Sequence, residues 1–558
     1  MKTLLKTIYG EKDGNLAFEK IQSLVQNFPL KQQKTQEYFS ERDVVLITYG
    51  DSIKNRAGKT ALKSLHEFCK EELKGVVSTV HILPFFPFSS DDGFSVIDFY
   101  EVDENLGCWK DIKELKEDFS LMFDFVLNHI SSKSKWFEQY LSGKGDFAKL
   151  AIAVDPALDL SMVTRPRSLP LLTKYTKKNG ENVHVWTTFS DDQIDINYAS
   201  VEILIKFIEV ILYYVRMGAE ILRLDAIAYL WKEFGTSCIH LPNTHNIVKL
   251  FRMILDEVAP NVMIITETNV PHEENISYFG DGNDEAQMVY NFTLPPLLLY
   301  SFIEEDVTRF NQWAKSLTIE SEKNTFFNFT ASHDGIGVRP LEGILPKQEL
   351  DKIIFRVKRN GGRVSYKQNS DGSESPYELN ITYVDAYKLD DGPVLHANRF
   401  LASQSIQLVL PGVPGIYIHS ILGSHNWEEG VQQTERARTI NREKLFFEDI
   451  KEQLSDPSSF RSLVFAQYKK MIAVRKKQSA FHPNAGFEIL EIGPAVFCIK
   501  RISGKQLIIA LTNVTSQSTK LDLSQHFKEG NELLSGKMVS ASACYLEPYQ
   551  VCWIEVKK

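Results

Sequence analysis

The chain predicts an α/β fold: a (β/α)8 TIM barrel carrying excursion domains and a C-terminal β-sandwich domain. Eight short apolar runs recur through the first three-quarters of the sequence, and helix-like stretches lie between most of them. From about residue 485 the pattern changes to short alternating segments. Eight strands interleaved with helices are what a closed parallel barrel requires. Short alternating strands suit a terminal β layer.

The strand-like runs are VVLITYGD (44–51), TVHILPF (79–85), LMFDFV (121–126), AEILRLDA (219–226), VMIITET (262–268), MVYNF (288–292), FFNFTASHD (326–334) and GIYIHS (415–420). The clearest helix covers Val201–Met217, where Glu202, Lys206, Glu209, Tyr213 and Arg216 form one polar stripe and Gly218 supplies the stop. A doubly wound open sheet also fits the alternation, but the glycine-rich phosphate turn is missing after the first strand. Residues 1–43 read as a helical N-terminal extension and 44–129 as the first part of the barrel. An excursion domain spans 130–195, and the barrel resumes over 196–340. A second, polar excursion holding GGRVSYKQNSDGSESPYE covers 341–398, the barrel ends over 399–484, and 485–558 form the C-terminal β domain.

Composition narrows the function classes. With 63 Lys and Arg against 72 Asp and Glu, the net charge is −9, and no basic stripe offers a nucleic-acid surface. The best membrane candidate, Phe400 to Ile418, contains Ser403, Gln404, Ser405, Gln407 and a PGVPG break, so it reads as a buried helix, a turn and a strand. Charge interrupts MKTLLKTIYGEKDG before any apolar stretch long enough for a signal peptide. Cys69, Cys108, Cys238, Cys498, Cys544 and Cys552 show neither zinc spacing nor a paired framework, which suits reduced thiols in the cytoplasm. The acidic loop DGNDE (281–285) lacks the full spacing of an EF-hand, and no metal site is expected.

In such a barrel the C-terminal strand ends face the active site. Those ends present Asp124, Asn128 and His129 after the third run, then Arg223 and Asp225 at the fourth. Glu267 follows at the fifth, and His333 with Asp334 at the seventh. Each has a bland reading when taken singly. A strand-end carboxylate is usually a cap or ion-pair member, Arg223 and Asp225 share a strand face as a salt bridge would, and Tyr229 and Cys238 read as core. Three such carboxylates together are hard to place as packing residues.

In order, DFVLNH (124–129), RLDA (223–226), TET (266–268) and ASHDG (331–335) resemble the four conserved blocks of the α-amylase family, glycoside hydrolase family 13. Further stretches narrow the resemblance to the sucrose-phosphorylase-like glucosyl phosphorylases: HILPFFPFSSDDGFSVID (81–98), RPRSLP (165–170), RLDAIAYLWKEFGTSC (223–238), LPPLLL (294–299), SHDGIGV (332–338), PGVPGIY (411–417) and INR (440–442). The N-terminal extension and the RPRSLPLLT stretch are most similar to that group's longer members, the glucosylglycerate phosphorylases.

The resemblance implies a retaining transfer of an α-glucosyl unit, with Asp225 as nucleophile, Glu267 as general acid/base and Asp334 gripping the sugar hydroxyls. Arg223 is then expected to hold Asp225 ionised, and Glu267 needs a drier site to keep its proton. The two working carboxyls of retaining enzymes lie about 5–5.5 Å apart. By the same resemblance Asp91, Phe94, His129, His333 and Arg442 enclose the glucose ring, with Asp91 partnered by Arg442. Tyr229 stands near the nucleophile, and Arg167 is linked to phosphate.

Two departures concern the acceptor and phosphate side. Asn269 stands where sucrose phosphorylases carry histidine, and Glu378, after Tyr377, where they carry glutamine. These put sucrose in doubt, and the resemblance to glucosylglycerate phosphorylases implies glycerate as the acceptor, with sucrose or sucrose 6'-phosphate as the alternative. Hydrolysis, with water completing the second step, is a lesser alternative, and an inactive amylase-like binding role ranks last because all three carboxylates are present. The resemblance implies no cofactor and small-molecule partners only (the glucoside, inorganic phosphate and the acceptor), and leaves the oligomeric state open.

Overall fold

Runs rich in β-branched and aromatic residues, buried on both faces, form eight short parallel strands. They are β1 (Val45–Thr48), β2 (Thr79–Ile82), β3 (Ser120–Phe125), β4 (Ile221–Leu224), β5 (Met263–Thr266), β6 (Met288–Tyr290), β7 (Thr325–Phe329) and β8 (Val413–Tyr417). The computed structural model describes residues 1–29, 37–167, 169–368 and 373–557. Part of the N-terminal extension, Ser168 of the RPRSLP stretch and the NSDG of the second excursion lie outside the described residues. The strands close in chain order, β8 returning to β1 with Val45 opposite Gly415. This is the expected (β/α)8 barrel. The β3–β4 register sets Asp124 opposite Arg223, which fixes the pairing at the floor of the site.

Helices cover the barrel. Helix α1 (Lys2–Gln26) is broken at Gly10 (φ 77°), and its second part crosses its first where Gly14 meets Lys6. A Cβ at Gly14 would lie 2.7 Å from Lys6 Cα, so only glycine allows this approach. Leu5, Ala17, Ile21 and Val25 bury the inner face of α1 against α2 (Val201–Met217) and α3 (Pro242–Val258). α2 ends at Gly218, in the left-handed region (φ 110°). The stretch weighed as a membrane candidate forms the end of α4 (Pro393–Val409), a turn and β8. No helix among the described residues is long and apolar enough to cross a membrane. In the DGNDE loop, Asp284 pairs with Lys249 at 2.7 Å and Glu285 with His245 at 2.9 Å.

Three additions surround the barrel. After β3, His129–Ser131 pairs antiparallel with Gln193–Asp195, and Leu172–Thr176 pairs with Asn182–Trp186. Val154, Val163, Leu171 and Trp186 pack together beneath this excursion with Cys238, contributed by the chain beyond β4. After β7, Ile336–Gly337 joins the hairpin of Arg363–Gln368 and Glu374–Asn380, with Gly337 opposite Glu378. The C-terminal region is a six-stranded antiparallel sheet whose second layer is only a two-stranded ribbon, Thr519–Leu521 with Cys544–Leu546. One face of that sheet meets the ribbon through Cys498, Leu511 and Ile554. Phe497, Ile508 and Trp553 join the main core.

The first excursion is tied to the barrel by a buried ammonium. Lys232 Nζ lies 2.5 Å from Asp195 Oδ2 and donates to Asn128 Oδ1 at 2.9 Å and to the Tyr229 carbonyl. Lys232→Met would leave the Asp195 carboxylate buried without its cation, a cost of about 3–5 kcal/mol. The expected outcome is a lower melting midpoint, earlier proteolysis within residues 130–195 and a reduced kcat/KM, because His129 adjoins Asn128. A variant that melts and turns over like the parent would show that docking does not depend on this pair.

Candidate active site

The floor is built on β4. Arg223 Nη1 donates to Asp225 Oδ1 at 2.7 Å and pairs with Asp124 of β3, and Nη2 lies 3.8 Å from Glu267 Oε2 at the end of β5. Asp124 also meets His81 Nε2 of β2 at 2.7 Å. Arg223 is 2% exposed, with its guanidinium over the rings of Tyr290 and Phe94 at 5.4 and 5.7 Å. Ala226 takes a left-handed conformation (φ 51°), and its N–H donates to Glu267 Oε2 at 3.1 Å. Such a φ costs a non-glycine residue roughly 1–2 kcal/mol, and here it serves the site. Asp225 and Glu267 thus stand round one cation.

Their protonation follows from burial and shared charge. Burial raises both carboxyls above their ordinary ranges. Arg223 opposes this in each, while Glu267 adds to the rise at Asp225 and Asp334 to that at Glu267. The expectation that Arg223 simply holds Asp225 ionised is corrected, because its charge is divided with Asp124, which it and His81 hold low against burial. Two such carboxyls titrate as a pair. When Glu267 carries the pair's proton, repulsion at Asp225 is relieved, and its bond to Arg223 favours the ionised form.

The opposite wall comes from the loop after β7. Burial would raise the Asp334 carboxyl, but Arg438, with Arg442 and Arg223, overcomes it and holds it well below the usual carboxylate range. Arg438 Nη1 lies 2.8 Å from Asp334 Oδ1. The His333 ring stacks on Phe94, with centroids 4.7 Å apart, and burial pushes its imidazole down to about 3, so it is neutral near pH 7. His129 Nε2 donates to the Phe94 carbonyl at 2.9 Å.

Arg442 donates from Nε to the His333 carbonyl at 2.8 Å and pairs with Asp92, not with Asp91 as expected. Asp91 (φ 53°) and Asp92 (φ 48°) are both left-handed, and the turn sends their side chains apart. Asp91 faces Arg167 at 3.9 Å and Gln193 Nε2 at 3.3 Å.

These groups line a pocket of about 620 Å³, mouth included. Of the residues singled out from sequence, Asp91, Phe94, His129, Asp225, Glu267, His333 and Asp334 line it, as do Arg167, Asn269, Tyr377 and Glu378. Arg223 lies beneath and Arg442 behind. Tyr229 is screened by Phe189, against whose ring it packs edge-on at 5.4 Å. Asn269 fits only because residue 337 is glycine: a Cβ there would come 2.6 Å from Asn269 Nδ2. Glu378, expected to border the acceptor and phosphate side, lines the pocket while accepting from Gly335 N–H at 2.6 Å and from Arg438 Nε and Nη2 at 2.9 and 2.5 Å.

Sequence reasoning missed the lining residues Phe189, Gln193, Ala226, Phe292, Gly335 and Arg438. Arg438 carried the available signal, as a second arginine four residues before Arg442 in ARTINR.

The α-amylase catalytic-domain family matches residues 73–336. A glucosylglycerate phosphorylase of Spirochaeta thermophila is 50% identical over 92% of this chain and 89% of its own length. One of Escherichia coli is 44% identical over 99% of both. The crystal structure of a sucrose 6F-phosphate phosphorylase from Thermoanaerobacter thermosaccharolyticum is similar with a TM-score of 0.74 and 26% identity, covering 86% of this chain and 94% of that one. With that identity along almost its whole length, the chain belongs to the glucosylglycerate phosphorylase family, on an α-amylase-type barrel.

Proposed function

We propose that this phosphorylase interconverts 2-O-α-D-glucosyl-D-glycerate and phosphate with α-D-glucose 1-phosphate and D-glycerate. Asp225 is the nucleophile, Glu267 the general acid/base, and Asp334 the carboxylate that grips the sugar hydroxyls. The carrying observation is the pairing of Asp225 and Glu267 round Arg223, beneath a pocket that also holds Arg167. Arg167 has Asp91 at 3.9 Å as its only ion pair among the described residues, which leaves it available to an anion.

Asp225 attacks C1 of the glucosyl unit as the C1–O bond to glycerate breaks, and the Glu267 proton passes to the departing oxygen. Phosphate then replaces glycerate. Its oxygen attacks C1, the ester to Asp225 breaks, and Glu267 recovers a proton from phosphate. Asp91, Phe94, His129 and His333 enclose the ring, with Arg442 supporting the His333 backbone. Tyr229 backs Phe189. Arg167, Tyr377 and Asn269 serve the acceptor and phosphate side, where the buried Oδ1 of Asn269 has no partner among the described residues and can accept from a hydroxyl. All six cysteines are unpaired, which suits the reducing cytoplasm.

Phosphate release from α-glucose 1-phosphate, measured with glycerate, fructose, fructose 6-phosphate, glycerol or buffer alone, tests the acceptor. Glycerate is expected to give the fastest release. Arg167→Met is expected to raise the glycerate KM about tenfold or more, the loss of one charge-assisted hydrogen bond. Fastest release with fructose or its phosphate would move the assignment to the sucrose type, and release in buffer alone would indicate hydrolysis.

A pH profile tests Glu267. Its acid form is the active one, so kcat/KM falls as pH rises through a value that burial has lifted above the ordinary glutamate range. Glu267→Gln is expected to abolish that limb and slow glucosylglycerate cleavage by roughly 10²–10⁴. Release of fluoride from α-glucosyl fluoride, whose leaving group needs no proton, should persist. Equal loss on both donors would reject the role.

A further inference from the structure

Arg438 and Glu378 form an ion pair at the pocket wall that no role described so far requires. The guanidinium uses all its edges. Nη1 holds Asp334 Oδ1 at 2.8 Å, while Nε and Nη2 fork onto the Glu378 carboxylate at 2.9 and 2.5 Å. Glu378 is 4% exposed, and it also takes the Gly335 N–H at 2.6 Å, next to Asp334. The fit is close, since a Cβ on Gly335 would lie 2.6 Å from Glu378 Cγ. The carboxylate therefore fastens both the backbone that carries Asp334 and the arginine that orients it.

Resting on the proposed roles above, we infer that Arg438 is a positioning residue for Asp334, locked by Glu378, and that the glutamate tunes glucosyl transfer without contacting the acceptor. An arginine already held by two carboxylates has its charge more than offset and draws an incoming anion only weakly. A guanidinium between two fixed acceptors keeps one orientation, whereas a glutamine at 378 would turn an N–H toward it or leave one nitrogen unpaired. The wall is thus built to keep Asp334 still during a reaction in which its grip must tighten.

Glu378→Gln separates this role from acceptor binding. The initial fluoride burst from α-glucosyl fluoride without acceptor reports glucosyl-enzyme formation, and saturation with glycerate reports its KM. The burst rate is expected to fall on the order of tenfold or more, with the glycerate KM changing less than about twofold. Arg438→Gln removes the group that orients Asp334, so the burst rate should fall with the glycerate KM little changed, and Arg438→Lys, which keeps the charge without the fork, should not restore it. A raised glycerate KM with an unchanged burst would overturn the inference and make Glu378 an acceptor contact. Unchanged burst and KM would overturn it equally, as would a full burst rate in Arg438→Gln. Failure of the unmutated protein to release fluoride or transfer glucose would instead reject the functional reading itself.

Discussion

The buried Arg223 guanidinium is the constraint on which the site depends. A cation with 2% exposure cannot be tolerated alone, and Asp124 opposite it on the neighbouring strand supplies the permanent counter-charge. What remains of its field is shared between Asp225 and Glu267. Without it, three carboxylates would crowd one water-poor floor. The pairing exists only in this register, because a slip of one residue would turn Arg223 to the other face of the sheet. Barrel closure and catalytic electrostatics are therefore one requirement.

Around that floor the pocket is walled by excursions. His129 opens the first one, which also brings Phe189 and Gln193, and the Lys232 ammonium pulls it down through Asp195. The second brings Tyr377 and Glu378 against the β7 loop, where Gly335 and Gly337 leave room for Glu378 and Asn269. Strand ends thus hold Asp225 and Glu267, the proposed nucleophile and acid, while loops supply the pocket walls. That division is usual where a rigid scaffold carries variable connections.

The barrel was legible because each strand is short, apolar and bounded by a helix, and α2 because its polar stripe repeats at helical spacing. Asp225, Glu267 and Asp334 were legible as charges at the ends of apolar runs. Pairings were not. Whether Arg442 meets Asp91 or Asp92 turns on two left-handed residues, which composition does not reveal in a pair of aspartates. The tie between Glu378 and Arg438 was hidden too, because 60 residues separate them and the hairpin brings them together. The slender second layer of the C-terminal region was equally hidden, since alternation shows which residues face inward but not what covers them.

The charges lining the pocket raise a problem that the proposed chemistry resolves. Asp91, Asp225, Glu267, Asp334 and Glu378 face it, against Arg167 and Arg438, yet the reaction admits phosphate and glycerate, both anions. Arg438 is saturated by Asp334 and Glu378. When the glucosyl ester forms, the charge on Asp225 disappears and the departing glycerate leaves Glu267 deprotonated. Negative charge has then passed from Asp225 to Glu267, the group that phosphate must approach. Phosphate meets a general base ready to take its proton, and Arg167, loosely held by Asp91, must offset the repulsion between them. Water needs no such cation to enter. In the proposed reaction Arg167 would therefore give phosphate its advantage at the step where hydrolysis competes, and the acidity of the pocket would be compatible with an anionic nucleophile.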